Sequence, residues 1–361
     1  MTGLLLSPLD ALHRARGAHF TEFGGWELPV RFGSDLAEHH AVRTTAGLFD
    51  LSHMAQLDLP GAAAGPGLDY ALLGQHSTMP VGRASYSMIL TPEGTVIDDL
   101  IVYRLAADHW FIIANAANRA VVAAELAERL AGCGAAVHDV TLDRALIAVQ
   151  GPNSPAILAA AGLPEAAALG YYRCAEATLD GTPLLLCRTG YTGETGFEIA
   201  CPRQAAPALW ERLEAAGRDQ GLTLCGLACR DTLRLEAGMP LYGHELDRDT
   251  TPIEGGQGYF VRAKAADYVG KAALLSREPR KHLVGLQGEG RRAARAGYPL
   301  VRDGEPGGHV TSGALSPTLG YPIALASVTG PEPAPGDLVE VDVRGQLTPF
   351  RVTALPFLKK S

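Results

Sequence analysis

Two adjacent carboxylates, Asp98 and Asp99, lie inside an otherwise apolar run, with Val96-Ile97 before them and Leu100-Ile101-Val102 after them. Successive residues of a strand point to opposite faces, so the two carboxylates cannot share one site. This argues against a carboxylate pair that works together as in a glycosidase. We expect one aspartate to face a partly buried polar site. The alternative is a strand-edge aspartate that is held by backbone donors.

A glycine-rich run, Gly190-Tyr191-Thr192-Gly193-Glu194-Thr195-Gly196, leads through Phe197 into Glu198. Its glycines predict a tight turn that lets the backbone approach a ligand or a neighbouring segment. The run lacks the Gly-Lys-Ser/Thr ending of a phosphate loop. Glu198 follows in an apolar strand, where its carboxylate can accept two hydrogen bonds from a planar N–H/NH2 edge, as in a pterin or a guanidinium group. A structural salt bridge is the alternative.

Arginines form two groups that could contact an anionic ligand. Arg230 and Arg234 are four residues apart on a predicted helix and share one face of it. Acidic residues accompany both, so ion pairing is the alternative there. Arg291, Arg292 and Arg295 form the densest basic cluster of the chain. That cluster could contact an anionic ligand or an acidic partner, and a solvated surface is the alternative.

The sequence lacks the motifs that would indicate a metalloenzyme, a serine hydrolase or a nicotinamide-dependent enzyme. The histidines form no recognisable metal site, and the chain contains neither His-Glu-x-x-His, nor Gly-x-Ser-x-Gly, nor a dinucleotide-type Gly-x-Gly-x-x-Gly at a strand–helix turn. A net charge of −8 argues against broad binding to nucleic acid or to anionic membranes. Without a signal-peptide pattern, a long apolar run or a Cys-x-x-Cys pair, the chain is predicted to be cytoplasmic with free thiols.

The elements that must position these residues are predicted from periodicity and turn chemistry. Helices are expected to follow Ser7-Pro8 and Ser34, and further helices over 120–130, 206–216 and 226–236. The run Thr91-Pro92-Glu93-Gly94 predicts a hairpin between strands over 84–90 and 95–105. After His282, short alternating segments separated by glycine and proline predict a small antiparallel barrel or sandwich. The predicted class is α+β with an all-β C-terminal unit.

Several blocks, taken in order, resemble the aminomethyltransferase, or T-protein, family of the glycine cleavage system. The resemblance runs almost from end to end of the chain, and blocks that recur in the family's order are more specific than any single one. It is carried by Phe23 to Val30, Gly47 to Met54, Ile97 to Tyr103, Val149 to Pro152, Arg188 to Glu198, Leu227 to Met239 and Thr311 to Gly320.

The resemblance implies a three-domain cloverleaf around a central folate channel, with a C-terminal barrel-like domain. It places a discontinuous first domain at 1–50 and 140–248, a second at 51–139, a connector at 249–281 and the barrel at 282–361. It also implies that lipoylated H-protein delivers an aminomethyl group whose methylene passes to tetrahydrofolate, with release of ammonia. Tetrahydrofolate is then a co-substrate, and no metal, flavin or nicotinamide is expected.

By position, Asp99 matches the family's catalytic aspartate, Glu198 its pterin-edge carboxylate and Arg230 its folate-contacting arginine. Arg295 matches an arginine of the third domain near the channel entrance. The channel wall is implied to include Met54, Tyr86, Ile101, Ile113, Tyr172 and Tyr191. Thr95 and Tyr259 depart from the family pattern, where glycine and tryptophan are common. The C-terminal segment lacks the tyrosine-bearing tail of some members.

Three rival functions remain to be weighed. The folate-linked half of a sarcosine- or dimethylglycine-oxidising enzyme needs a flavin domain, for which the chain has neither room nor fingerprint. A folate-binding protein that supports iron–sulfur enzymes carries a Lys-Gly-Cys-x-x-Gly-Gln segment, whereas Ala237 to His244 occupies that region here. The third rival is a non-catalytic folate-binding scaffold. It would tolerate asparagine at residue 99, whereas a transferase would lose turnover.

Overall fold

The computed structural model describes residues 3–302 and 304–359. The chain forms two compact units, which we call the first unit (Met1–Ser87 with Leu100–Arg230) and the second unit (Met88–Asp99 with Asp231–Ser361). The helices are α1 Asp10–Ala15, α2 Asp35–Thr44, α3 Ala64–Ala71, α4 Arg119–Arg129, α5 Ser154–Ala160, α6 Ala206–Gly217, α7 Leu227–Glu236, α8 Gly258–Ala263 and α9 Lys271–Ser276.

Strands dominate the rest of the described chain. Those in the first 230 residues are β1 Leu5–Leu6, β2 His19–Phe23, β3 Trp26–Arg31, β4 Ala46–Asp50, β5 Ala55–Pro60, β6 Arg83–Leu90, β7 Val96–Ala106, β8 His109–Ala114, β9 His138–Asp139, β10 Arg144–Gln150, β11 Cys174–Leu179, β12 Thr182–Cys187, β13 Gly196–Pro202 and β14 Leu222–Cys225. Those that follow are β15 Lys281–Gly288, β16 Pro299–Arg302, β17 Glu305–Leu315, β18 Pro322–Thr329, β19 Leu338–Asp342 and β20 Leu347–Thr353.

A six-stranded sheet with the order β11-β12-β13-β10-β4-β14 carries the main core of the first unit. Strand β10 lies antiparallel to both β13 and β4, and β14 runs parallel to β4. Helices α5 and α6 contribute Ile157, Leu158, Trp210 and Leu213 to one apolar cluster with residues of these strands. Burial of these large apolar side chains is the dominant favourable term in forming such a layer.

A five-stranded sheet has the order β6-β7-β8-β5-β9. The predicted turn joins β6 to β7, and Gly94 there has a φ of +83°, which glycine adopts without strain. Its amide N–H donates to the Thr91 carbonyl oxygen over 2.9 Å. The unit boundary crosses both strands, so the turn and the first part of β7 belong to the second unit.

A three-stranded sheet, β1-β3-β2, lies at the start of the chain. Strands β2 and β3 form a hairpin whose two turn residues, Gly24 and Gly25, have φ values of +56° and +82°. Two consecutive positive φ angles fit a two-residue hairpin turn, which favours glycine at both positions. The sequence prediction missed this hairpin.

The second unit contains a closed barrel, β15-β18-β17-β16-β19-β20. Its interior is formed by alternating apolar residues, among them Leu286, Val310, Ala326, Val341 and Phe350. This confirms the predicted α+β class with an all-β C-terminal unit. The segment predicted as a connector holds the short helices α8 and α9.

Helix starts follow the predicted capping residues only in part. The Ser34 hydroxyl accepts a hydrogen bond from the Ala37 N–H and caps α2 as predicted. Helix α1 begins at Asp10, later than predicted, and the Ser7 hydroxyl accepts from the Leu9 N–H and donates to Asp50. All six cysteines are free thiols, as predicted. Every helix among the described residues is too short or too polar to cross a membrane.

Candidate functional site

Glu198 lies on β13, between β10 and β12 in the six-stranded sheet. Its cross-strand neighbours are Ala148 and Cys187, and the residue is 6% exposed. The Thr189 hydroxyl donates a hydrogen bond to Oε2. No hydrogen bond from the described residues reaches the other oxygen, Oε1. A buried carboxylate with one oxygen held and one open can accept from a ligand.

Gln150 holds the glycine-rich turn in place. Its amide nitrogen donates to the Thr189 carbonyl oxygen over 3.2 Å, and its amide oxygen accepts from the Thr192 hydroxyl over 2.8 Å. A Cβ added at Gly190 would lie 2.8 Å from the Gln150 Cδ, and one added at Gly196 would lie 2.5 Å from its Oε1. These glycines therefore leave space for the buried Gln150 amide. Of the two alternatives that the sequence left open, a ligand or a neighbouring segment, the glycines accommodate a neighbouring segment.

Arg43 binds the same turn from α2. Its guanidinium donates to the Thr192 carbonyl oxygen over 2.7 Å and to the Glu194 carboxylate over 2.9 Å. The two charged side chains are 7% and 12% exposed, so the pair is only weakly screened by solvent. The turn is thus fixed on both sides.

Arg230 lies on α7, with its Cζ 4.9 Å from the centre of the Tyr191 ring. Its Nη1 is buried and has no hydrogen-bond partner among the described residues. Burial lowers the pKa of Arg230, while the Glu198 carboxylate and Tyr191 oppose that shift. An arginine keeps its proton at any ordinary pH, so a buried N–H donor is left unmatched there. The side chain also lines a small cavity together with Phe32, Asp50 and Leu227.

His53 is a neutral neighbour of this guanidinium. Burial, and then the charge of Arg230, lower the pKa of His53 to about 4, while Asp50 acts in the opposite direction. The imidazole is 2% exposed and meets the Phe23 ring edge-on, with 5.8 Å between the ring centres. A neutral imidazole leaves Arg230 as the positive group at this position.

The predicted apolar wall of the candidate site includes tyrosines and isoleucines. Tyr172 has a φ of +56° and meets Tyr171 edge-on, with 4.8 Å between the ring centres. Burial, and then the nearby charges, raise the pKa of Tyr172, so its hydroxyl stays protonated. Ile101 on β7 is directly opposite Ile113 on β8, so both side chains lie on one face of the sheet.

The remaining predicted wall residues, Met54 and Tyr86, are half-buried in the first unit. The first unit therefore brings Glu198, Arg230, Tyr172 and Tyr191 within electrostatic or ring contact, and it pairs Ile101 with Ile113. The wall roles of Met54 and Tyr86 stay predictions.

Asp98 and Asp99 lie in the second unit, on the first part of β7. Asp98 is fully buried and Asp99 is half-buried, as expected for neighbours on opposite strand faces. Arg295 is exposed in the same unit and donates to the Gly313 carbonyl oxygen over 3.3 Å. The binding role of Arg295 and the catalytic role of Asp99 stay predictions.

Arg234 forms ion pairs, which is the alternative that the sequence left open for this residue. It is 1% exposed, 3.1 Å from the Glu245 carboxylate and 2.7 Å from that of Asp231, and it also donates to the Ser312 hydroxyl. Its role is structural. Arg230, one turn earlier on α7, makes no ion pair among the described residues.

Among the described residues, Glu38, Cys225 and Cys229 bring three potential metal-ligating atoms within 4.8 Å of one another. The Glu38 carboxylate already accepts hydrogen bonds from the backbone N–H groups of Phe32, Gly33 and Gly226. Burial raises the pKa of Cys225, which keeps its thiol protonated, whereas metals bind thiolates. The Glu38 carboxylate in this cluster therefore anchors the backbone at Phe32, Gly33 and Gly226.

Sequence reasoning missed Gln150, Thr189 and Tyr103 as parts of this site. Gln150 could have been noticed, because a lone amide at the end of the apolar strand 145–149 requires buried partners. The only sequence signal at Thr189 is its position directly before the glycine-rich run. Strand alternation places Tyr103 on the same face as Asp99, but its hydrogen-bond partner, 86 residues away, gives no local signal.

The first unit is a mixed α/β unit with a buried carboxylate, one oxygen of which is open, and an arginine over a tyrosine ring, and the second unit contains a closed barrel. Comparison with known proteins identifies the class. The GCVT N-terminal domain profile matches residues 9–265, and the glycine cleavage T-protein C-terminal barrel domain profile matches residues 281–359.

Relatives match along their whole length. The chain is 50% identical over 372 residues to an aminomethyltransferase of Cutibacterium acnes, with 100% of each chain covered. It is 51% identical over 360 residues to one of Streptomyces avermitilis, with 98% and 97% covered. A crystal structure of the glycine cleavage system aminomethyltransferase T from Bartonella henselae superposes with a TM-score of 0.92 at 37% identity, covering 99% of this chain and 98% of that one. The chain belongs to the glycine cleavage T-protein family and is an enzyme of the aminomethyltransferase class.

Proposed function

We propose that this enzyme transfers the methylene of an aminomethyl group from the lipoyl arm of H-protein to tetrahydrofolate. The products are 5,10-methylenetetrahydrofolate, ammonia and dihydrolipoyl H-protein. The reaction belongs to glycine catabolism and takes place in the cytoplasm. Tetrahydrofolate is a co-substrate, and the transfer requires no metal, flavin or nicotinamide.

The observation that carries the folate assignment is the pair of open polar groups in the first unit. Glu198, whose Oε2 accepts from Thr189, offers Oε1 as an acceptor, and Arg230 offers Nη1 as a buried donor. A pterin presents adjacent N–H and NH2 groups on one edge and acceptor atoms elsewhere on its ring. Leaving either protein group unmatched costs about 1–3 kcal/mol, so a ligand that satisfies both gains specificity as well as affinity.

The apolar residues have a positioning role in this proposal. Ile101, Ile113, Met54, Tyr86, Tyr172 and Tyr191 give flat, apolar surface against which a planar ring can pack. Holding a bound acceptor in one orientation supplies a large part of the rate of a group transfer. Arg295, which is exposed in the second unit, binds the anionic part of the co-substrate in this proposal.

Asp99 is the proposed catalytic residue. An aspartate carboxylate is ordinarily ionised at neutral pH. It stabilises the positive charge that develops on the transferred carbon as the C–N bond to the leaving ammonia breaks. It also accepts the proton from the folate nitrogen as that nitrogen forms its new bond to carbon. Ammonia departs with the electron pair of the C–N bond, and the lipoyl sulfur departs with the electron pair of the C–S bond. Two folate nitrogens each form one new bond to the carbon, and the two protons that they lose end on the ammonia and on the lipoyl thiol, so no oxidant or reductant is needed.

Binding of tetrahydrofolate tests the site assignment directly. Anaerobic titration calorimetry on the full chain would compare the native protein with Glu198→Ala and Arg230→Met. Each substitution is expected to raise the Kd about 10- to 100-fold, because each removes a charged hydrogen-bonding partner. Glu176→Ala, an exposed glutamate on β11 of the same sheet, is the matched control and should leave the Kd unchanged. Unchanged affinity in both site variants would rule out this folate site.

A further inference from the structure

Three buried polar side chains of the first unit form a continuous chain that ends on Glu198. The Tyr103 hydroxyl is 3.0 Å from the Thr189 hydroxyl, which in turn bonds Glu198 Oε2. Tyr103, Thr189 and Glu198 are 0%, 2% and 6% exposed. Neither Tyr103 nor Thr189 belongs to the residues assigned above to folate or to catalysis.

The direction of each hydrogen bond in the chain is determined by counting hydrogens. A hydroxyl group has one hydrogen, and the Thr189 hydroxyl gives its hydrogen to the Glu198 carboxylate. The bond between the two hydroxyl groups must therefore use the Tyr103 hydrogen, with Thr189 Oγ1 as the acceptor. Burial, and then the nearby Cys187 and Glu198, raise the pKa of Tyr103 well above its usual value. Its phenol thus keeps the hydrogen that it donates.

The backbone on both sides of this chain is held independently. Tyr103 lies on β7 within its pairing with β8, opposite Phe111. Thr189 is held through its carbonyl oxygen by the Gln150 amide. The two hydroxyl groups are thus presented from fixed positions, and Glu198 receives a donor whose location does not depend on a ligand.

We propose that Tyr103 and Thr189 are positioning residues that orient the Glu198 carboxylate for the N–H/NH2 edge of tetrahydrofolate. Thr189 occupies Oε2 and leaves Oε1 directed to the ligand, and Tyr103 orients the Thr189 hydroxyl. The inference rests on the proposed function of Glu198. Groups behind a binding residue commonly fix its rotamer, and linked hydrogen bonds strengthen one another.

The test measures tetrahydrofolate binding and turnover in full-length variants. Tyr103→Phe removes only the terminal hydroxyl, and Thr189→Val replaces the hydroxyl by a methyl group. The expected rise in Kd is about 3- to 5-fold for Tyr103→Phe and about 5- to 10-fold for Thr189→Val, since a single hydrogen bond contributes about 1 kcal/mol. Thr189→Ser keeps the hydroxyl and should bind like the native protein. In all three variants kcat at saturating tetrahydrofolate should stay within about twofold.

A double-mutant cycle separates positioning from a general loss of structure. In a Glu198→Ala background, Tyr103→Phe should change the Kd no further, because the carboxylate that it orients is absent. Tyr70→Phe, a half-exposed tyrosine of α3, is the matched control and should bind normally. Circular dichroism verifies that each variant is folded.

The outcomes distinguish the two levels of the proposal. If Glu198→Ala binds tetrahydrofolate normally, the site assigned under the proposed function is wrong. If Glu198→Ala binds weakly but Tyr103→Phe and Thr189→Val bind normally, the positioning inference alone is overturned. A Tyr103→Phe effect of full size in the Glu198→Ala background would likewise overturn it. The positioning inference is supported if Thr189→Ser binds tetrahydrofolate like the native protein and if Tyr103→Phe no longer changes the Kd in the Glu198→Ala background.

Discussion

The side-chain amide of Gln150 fills the space beside Gly196 that any larger residue at position 196 would need. The two residues are directly opposite on β10 and β13. A Cβ at residue 196 would lie 2.5 Å from the Gln150 Oε1, a separation that real Cβ contacts do not show. The glycine-rich segment thus leaves space for the buried Gln150 side chain. Gln150 in turn holds the backbone of Thr189, whose hydroxyl bonds Glu198.

Gly196→Ala should therefore destabilise the protein and disturb the site together. The added methyl group forces the Gln150 amide away from the Thr189 and Phe197 carbonyl oxygens. Overpacking of this kind costs about 1–3 kcal/mol. Denaturant unfolding would measure the stability, and tetrahydrofolate titration would measure the site. Gly33→Ala is the matched control, because a Cβ there meets open space. Native stability and affinity in Gly196→Ala would contradict the packing role of Gln150.

Arg234→Met should lower the stability of the second unit. The substitution leaves the Glu245 carboxylate buried without its guanidinium partner, and removing one partner of a buried ion pair costs about 3–5 kcal/mol. The unfolding midpoint in urea would report the loss. Arg292→Met, an exposed arginine of the same unit, should change the free energy of unfolding by less than about 0.5 kcal/mol. Equal effects of both substitutions would show that the buried pair is not a structural anchor.

His53 should make the protein sensitive to mild acid. Its folded-state pKa is about 4, below the value of 6.5 for the unfolded chain, so the unfolded state takes up a proton first as the pH falls. The stability linked to His53 is complete above pH 6.5 and is lost progressively down to pH 4. The total loss is about 3 kcal/mol, from about 1.4 kcal/mol per pKa unit.

Unfolding of the native protein and His53→Asn at several pH values between 4 and 7 would measure this effect. The variant lacks the titrating group, so its stability should fall less steeply over that range. His138→Asn replaces an exposed histidine on β9 and should follow the native curve. Parallel curves for the native protein and His53→Asn would contradict the buried, neutral state of this imidazole.

The sequence predicted those parts of the fold whose signals are local. Alternation after His282 indicated the barrel, Ser34 indicated the start of α2, and the Pro-Glu-Gly turn indicated the β6–β7 hairpin. The β2–β3 hairpin was missed although Gly24-Gly25 is itself a hairpin signal, because its flanking strands are short and β2 is mostly exposed. An exposed strand lacks the apolar alternation on which such predictions depend.

The candidate site was only partly predictable. Glu198 and Arg230 were found because a carboxylate in an apolar strand and two arginines on one face of a predicted helix are conspicuous, and the family resemblance then gave them roles. Tyr103 and Thr189 look like ordinary strand and loop residues. What links them to Glu198 is tertiary packing between segments 86 residues apart, which no local pattern encodes.

Reconstitution with aminomethyl-loaded, lipoylated H-protein and tetrahydrofolate is the most direct test of one-carbon transfer by this enzyme. Ammonia and 5,10-methylenetetrahydrofolate would be measured in the same reaction. We predict that the native protein forms both in equal amounts, and that Asp99→Asn lowers kcat by about 100-fold or more while tetrahydrofolate still binds. Failure of the folded native protein to form either product would contradict the proposed function, and full turnover by Asp99→Asn would contradict the catalytic role of Asp99.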